Sequence, residues 1–270
     1  MTVSQTVFIG GGNMARAIVG GLLAADQTAS SLLIVEPQAP TREALVKDLG
    51  VTALERLSVP VPADACVVWA VKPQVLGTVM RELAPQLQGC LHVSIAAGVP
   101  VASMQQWLGT ARIVRAMPNT PALVGKGITG LYAGAAVAAA DRAAAQHIAE
   151  AVGLVEWVAR EELLNAVTAV SGSGPAYVFY LLEAMRQAGT DLGLSPDQAY
   201  RLAVATVDGA AALAAASADG PEVLRQRVTS KGGTTFAAIT RLDERQVRAH
   251  FIEAMRACHD RAVEMARELG

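Results

Sequence analysis

Val7-Phe8-Ile9-Gly10-Gly11-Gly12-Asn13-Met14-Ala15 is the stretch whose reading decides the fold. Three apolar residues read as a buried strand that runs directly into a glycine turn. Ile18, Val19, Leu22 and Leu23 follow with helical spacing. Gly10, Gly12 and Ala15 meet the G-x-G-x-x-G/A template of a strand, tight turn and helix start that receives a dinucleotide. In that template Gly10 makes the turn, Gly12 lets the pyrophosphate approach, and Ala15 permits close helix–strand packing. A second apolar run, Leu32 to Val35, ends in Glu36, an acid at roughly the ~20-residue offset expected of a ribose ligand. The bland alternative for Glu36 is a solvated loop carboxylate beside Pro37.

Strand and helix patterns then alternate. Thr41 to Leu49 reads as a helix capped by Thr41. Cys66 to Val71 is a continuous apolar run, the mark of a strand covered on both faces, and a helix from Gln74 to about Leu87 follows it. Leu91 to Ile95 and Arg112 to Ala116 read as further strands. Such alternation predicts an α/β fold with a doubly wound parallel sheet, whose ligands sit beyond the carboxyl ends of the strands. The Gly10 loop, Glu36 and the turns Ala70–Pro73, Ala96–Gly98 and Met117–Pro121 all fall at such ends, so five loops converge on one crevice.

From Glu161 onward the pattern is helical, and the expected division is 1–160 and 161–270. Helices are read over 161–170, 174–192, 196–216, 221–228 and 244–269, with Ser195-Pro196 as cap and first helical residue. Long helices of small residues with few aromatics make a thin core for a free-standing domain, which points to an obligate homodimer.

Val228-Thr229-Ser230-Lys231-Gly232-Gly233-Thr234-Thr235 is a second glycine cluster, followed by a helical pattern through Phe236, Ile239 and Leu242. Threonines at a helix start add hydroxyls to its unpaired N–H groups, a site for an anion the size of a carboxylate. Taken alone it is equally a capped turn.

The 270 residues and 52% apolar composition suit two domains with a substantial core. A formal charge of −2 with no dense basic run argues against nucleic acid. The cysteines, Cys66, Cys90 and Cys258, show no metal or disulfide spacing, so inert thiols in a reducing, cytoplasmic setting are expected. The first strand starts too early to leave room for a signal peptide, and no uninterrupted apolar run of ~18 residues predicts a membrane span.

The chain resembles the pyrroline-5-carboxylate reductases from end to end. The resemblance rests on Phe8–Ala15, Ala70-Val71-Lys72-Pro73-Gln74, Ser94–Gly98, Met117–Pro121, Ser171-Gly172-Ser173-Gly174-Pro175-Ala176-Tyr177 and Val228–Thr235. It implies a Rossmann domain for NADPH or NADH, then an all-helical dimerisation domain, with rings of dimers in some members. It places the pyrophosphate on Gly12, Asn13 and Met14, and the nicotinamide half near Ala70, Lys72, Pro73, Ala96 and Ala97. The substrate carboxylate falls on Ser230, Gly233, Thr234 and Thr235, with Glu161 lining the ring side. The Thr235 hydroxyl or a water delivers the proton. Lys72 is charged and near the nicotinamide, but reads better as an end-of-strand lysine touching the cofactor ribose; Lys231 beside the cup either attracts the carboxylate or is, equally, a solvated lysine. Glu36-Pro37 departs from the small or basic residues that NADPH-preferring members carry there; a carboxylate suits a 2′-hydroxyl, although Arg42 could fold back to compensate. The enzyme runner-up is a β-hydroxyacid dehydrogenase, but Val178 and Leu182 stand where that family carries lysine and asparagine. A non-catalytic nucleotide sensor is the reading from another class, and it leaves the second cup without a purpose.

Overall fold

In the computed structural model, which describes residues 4–269, the chain divides into two compact units. One holds the residues up to Ser173 and those from Cys258 onward; the other is Gly174–Ala257. The division falls beyond the 160/161 boundary expected from the pattern. The residues between, a short helix α6 (Leu163–Val167) and a π-helical turn Thr168–Gly172, pack on the sheet of the first unit.

The first unit is an eight-stranded sheet: β1 (Thr6–Ile9), β2 (Leu32–Val35), β3 (Thr52–Leu54), β4 (Cys66–Trp69), β5 (Leu91–Ser94), β6 (Ile113–Met117), β7 (Gly127–Ala133) and β8 (Gly153–Trp157). The spatial order is β3-β2-β1-β4-β5-β6-β7-β8, parallel throughout except between β6 and β7. The helices between are α1 (Asn13–Ala24), α2 (Ala39–Leu49), α3 (Pro73–Leu83), α4 (Val101–Leu108) and α5 (Ala139–Glu150).

The residues of β1, β2, β4 and β5 are buried throughout, as covered parallel strands require. Alternate residues feed two cores. Phe8, Ile34, Val68 and Val93 meet Ile18 and Val19 of α1 and Ile148 of α5. Val7, Leu33, Val67 and Trp69 meet Leu76 and Met80 of α3 and Met104 of α4. Each fully buried large side chain contributes roughly 1.5–3 kcal/mol.

Several expected boundaries move, three of them for visible reasons or by two residues and more. The helix read from Thr41 starts at Ala39, because Pro40 needs no N–H partner in a first turn. β4 stops at Trp69, two residues short of its apolar run. The helix read over 244–269 starts at Val247, as α11 (Val247–Leu269); the helical pattern through Phe236, Ile239 and Leu242 is α10 (Thr234–Glu244), and the two are separated at Gln246 with φ 54.

The second unit contains α7 (Gly174–Asp191), α8 (Pro196–Ala216), α9 (Pro221–Arg227), α10 and the start of α11. Ser195 and Gln198 close a reciprocal capping box at the start of α8. Gly189 lets α7 and α8 meet, since a Cβ there would lie 2.8 Å from Ala199 Cβ. Among the described residues α8 is the one helix long and apolar enough to cross a membrane, at mean hydropathy 1.2. Alanine and valine lift the average although Asp197, Arg201 and Asp208 interrupt the run, which is why a search for an unbroken stretch passes over it.

Candidate active site

The order of the strands reverses between β1 and β4, the switch point beyond whose carboxyl ends a doubly wound sheet binds its ligands. Gly10 adopts φ +101, and a Cβ there would sit 2.7 Å from the Ala70 carbonyl oxygen. Its N–H donates to the Val35 carbonyl at 2.8 Å, tying the turn to the end of β2. Gly12 is the N-cap of α1 and has open space where a Cβ would be. Ala15 is buried in the core behind it. An open cradle at a helix start that carries no acid in its first turn fits a pyrophosphate.

Glu36 is buried at 8% exposure rather than solvated. Its Oε2 accepts the Gly11 N–H at 2.9 Å and its Oε1 the Gln38 N–H at 2.8 Å. Arg42 folds back and donates to the carbonyls of Glu36 and Pro37, at 2.9 and 3.2 Å.

Beyond β4, the Ala70 N–H donates to Ile9 at 2.8 Å, and exposed Lys72 is the N-cap of α3 with Pro73 as its first residue. Beyond β5, Ile95 donates to the Trp69 carbonyl at 3.1 Å, Ala96 is buried, and Ala97 is half-buried. Beyond β6, buried Asn119 donates from Nδ2 to the Ser171 carbonyl at 3.2 Å and accepts from the Ile128 N–H at 3.0 Å. It thereby fastens the 117–121 turn to the 171–177 motif, a task the sequence reading did not assign.

Glu161, which the resemblance places on the ring side of the substrate, is engaged within the first unit. Its Oε1 accepts from Arg115 Nη1 and from the Val101 N–H, both at 2.8 Å. Sequence reading missed Arg115, although an arginine inside an otherwise apolar strand signals a buried charge that needs a partner.

In the second unit, Gly233 is the N-cap of α10, so Thr234 and Thr235 are its first two residues. One part of the expected cup needs correction: the Gly233 N–H is committed to the Ser230 carbonyl at 3.0 Å, within a turn made possible by Gly232 at φ +76. The donors that the first helical turn leaves without intrahelical partners start with Thr234 and Thr235. Ser230 Oγ lies over the same end, 2.7 Å from where a Gly233 Cβ would be.

Residues 161–265 match the family model described as "Pyrroline-5-carboxylate reductase dimerisation", and residues 5–98 that described as "NADP oxidoreductase coenzyme F420-dependent". Pyrroline-5-carboxylate reductase of Pseudomonas aeruginosa (strain PAO1) is 44% identical, with all of both chains covered. The chain belongs to the pyrroline-5-carboxylate reductase family. The Escherichia coli K12 member is 38% identical over 96% of this chain and 97% of its own. The Coxiella burnetii reductase superposes with a TM-score of 0.91 at 40% identity, covering 98% and 99% of the two chains. The Plasmodium falciparum reductase, solved with NADP bound, reaches 0.85 at 25% identity over the same shares.

Proposed function

We propose that this chain reduces 1-pyrroline-5-carboxylate to L-proline with NADPH or NADH, the last step of proline biosynthesis, and works as a cytoplasmic homodimer. One observation carries the reading. In a chain related along its full length to these reductases, two helices begin behind glycine turns with no acid of their own in the first turn. One suits a dinucleotide pyrophosphate and the other a small carboxylate, the two anionic groups this reaction brings together.

In this reading the backbone at Gly12, Asn13 and Met14 holds the pyrophosphate, Gly10 shapes the turn, and Glu36 serves the ribose. Ala70, Lys72, Pro73, Ala96 and Ala97 border the nicotinamide half. When bound, the reduced nicotinamide supplies the hydride that the imine carbon accepts. Ser230 Oγ and the N–H groups of Thr234 and Thr235 orient the substrate carboxylate, with Gly233 leaving the space. The Thr235 hydroxyl hydrogen-bonds the ring nitrogen and relays to it a proton taken up from water, or a bound water supplies that proton directly. A protonated imine is already electrophilic, so positioning and exclusion of water do most of the work.

The dimer is supported by what the second unit lacks. Among its described residues the buried apolar side chains are Leu182, Ala199 and Ala203, while Phe179, Tyr180, Leu181, Tyr200, Leu202 and Leu213 are exposed. Apolar surface on that scale marks an interface, and a second copy of the same helices is self-complementary to it. A ring of such dimers is the larger assembly proposed.

The test is a steady-state assay of NADPH and NADH oxidation with 1-pyrroline-5-carboxylate, run beside 3-hydroxyacids in the reverse direction. Turnover of the imine is the expected result. Turnover confined to hydroxyacids would return the β-hydroxyacid dehydrogenase reading, and cofactor binding without any turnover the sensor.

A further inference from the structure

The loop after β5 is anchored at several residues. The Ile95 N–H donates to the Trp69 carbonyl at 3.1 Å, and the Ala96 N–H lies 3.4 Å from Ser94 Oγ. Gly98 takes φ +76, and a Cβ there would stand 3.1 Å from Met265 Cβ and 3.5 Å from Leu269 Cδ1 on the last turns of α11. The loop then enters α4 at Pro100, a cap without a side-chain acceptor. Glu161, sixty residues further on, supplies that acceptor to the Val101 N–H. A carboxylate at a helix start is favourable. This one is held by Arg115 on β6, whose side chain is 7% exposed and whose register partner on β5 is Ser94.

Glu161 is partly exposed, at 21%, so the pair is only part-buried; such a pair is weak evidence for stability, because desolvation offsets its attraction, and its best-attested use is to fix one arrangement among several. The arrangement fixed here is that of residues 95–100. The pyrophosphate turn follows β1 and the ribose acid follows β2, so an extended dinucleotide reaches across β4 and β5 with its other half. Ala97 lies between the anchors and is half-buried.

We infer that Arg115 and Glu161 are positioning residues for the nicotinamide: the pair seats the start of α4 and thereby sets the 96–98 loop against which the ring lies. Glu161 acts through the loop and not on the imine. The inference rests on the proposed reductase function and names a task within its cofactor site.

Fluorescence titration of the full-length protein tests it with two ligands, NADPH and ADP-ribose, the second carrying the pyrophosphate and both riboses but no nicotinamide. The double variant Arg115→Met/Glu161→Ala removes the pair without leaving either charge alone. Its expected effect is a dissociation constant for NADPH raised about tenfold, near the loss of one good hydrogen bond, with ADP-ribose bound within twofold of wild type. Glu161→Gln keeps an acceptor for Val101 and should restore most of the affinity. At saturating cofactor the imine KM should stay at the wild-type value in both. Equal losses for the two ligands, or none for either, would overturn the inference, as would a rise in imine KM with NADPH binding unchanged. A wild-type protein that binds NADPH but leaves the imine unreduced would refute the proposed function, and the contrast between the ligands would still judge the pair.

Discussion

Replacing Gly233 by alanine asks whether the Ser230 hydroxyl belongs to the carboxylate cup. A Cβ at Gly233 would lie 2.7 Å from Ser230 Oγ and 3.2 Å from its carbonyl oxygen. The backbone at Gly233, φ −82 and ψ 173, is open to alanine, so α10 should form once the Ser230 carbonyl gives by a few tenths of an ångström. What must yield most is the hydroxyl, which swings about a single bond. Gly233→Ala therefore displaces Ser230 Oγ, and Ser230→Ala deletes it. Each variant loses one charge-assisted hydrogen bond to the substrate, about 1.5–3 kcal/mol. At 1.4 kcal/mol per tenfold, the imine KM should rise ~10–150-fold. Because both changes remove the same bond, the double variant should be no worse than either single one. Initial rates at saturating NADPH, with imine varied across the four proteins, measure this. Cofactor titrations alongside should stay flat. Additive effects of the two substitutions would show that Gly233 does not act through Ser230. A cofactor affinity falling in step with the imine would mean that the cup lies elsewhere.

Glu36→Ser removes the carboxylate buried beside Gly11 and leaves Arg42 nearby; the ratio of kcat/KM for NADPH over NADH should rise about tenfold, or ~1.4 kcal/mol, and an unchanged ratio would show that Glu36 does not face the ribose. His92 stacks on Trp69 and accepts its indole N–H at 3.2 Å; burial first, then Arg112, pushes its pKa down from 6.5 to about 4. A base depressed in the folded state is neutral there while the unfolded chain takes up a proton, so stability is full above pH 6.5 and falls towards pH 4. Urea unfolding should show His92 removing about 2 kcal/mol between pH 7.5 and pH 5, relative to His92→Gln; equal slopes for the two proteins would contradict this. Adjacent glycines in α1 should respond oppositely. Gly20→Ala meets only Leu49 Cδ2 at 3.9 Å and should stabilise by roughly 0.5–1 kcal/mol, whereas at Gly21 a Cβ would lie 2.0 Å from the Ala151 carbonyl and should lower Tm sharply. Similar melting temperatures for the pair would refute the close approach.

The strands that could be read from sequence are those buried on both faces, where an unbroken run such as Val67-Val68-Trp69 admits little else. Those that escaped, β3, β7 and β8, lie towards the two edges of the sheet. β7 reads Gly-Ile-Thr-Gly-Leu-Tyr-Ala, and its glycines serve proximity: a Cβ at Gly130 would lie 2.7 Å from Val167 Cγ1, and at Gly127 2.9 Å from the Val152 carbonyl. Such glycines look like loop residues until the neighbouring backbone is known. β3 is three residues long and its side chains are exposed or half-buried, so it has no pattern to show. The engagement of Glu161 was equally out of reach, since neither Arg115 nor Val101 is near it in sequence. The glycine turns were legible for the opposite reason, being local and carrying their spacing with them.

Glycine at a helix N-cap is not by itself the mark of an anion site, and this chain holds its own counterexample. α9 also starts behind a glycine, Gly220, but brings Glu222 into its first turn. α8 starts with the Ser195 capping box, and α4 borrows the carboxylate of Glu161. Each of these helix starts has an acceptor or an acid among the protein's own side chains. α1 and α10 combine a glycine cap with no acid in the first turn. Their N–H groups and the positive end of the dipole are left to water or to a ligand. It follows that an acid engineered into those first turns should compete with the ligand while stabilising the helix. Asn13→Asp should weaken NADPH, and Thr234→Asp should weaken the imine, each without lowering Tm. A loss of stability in either variant would show that its helix start is already satisfied within the fold.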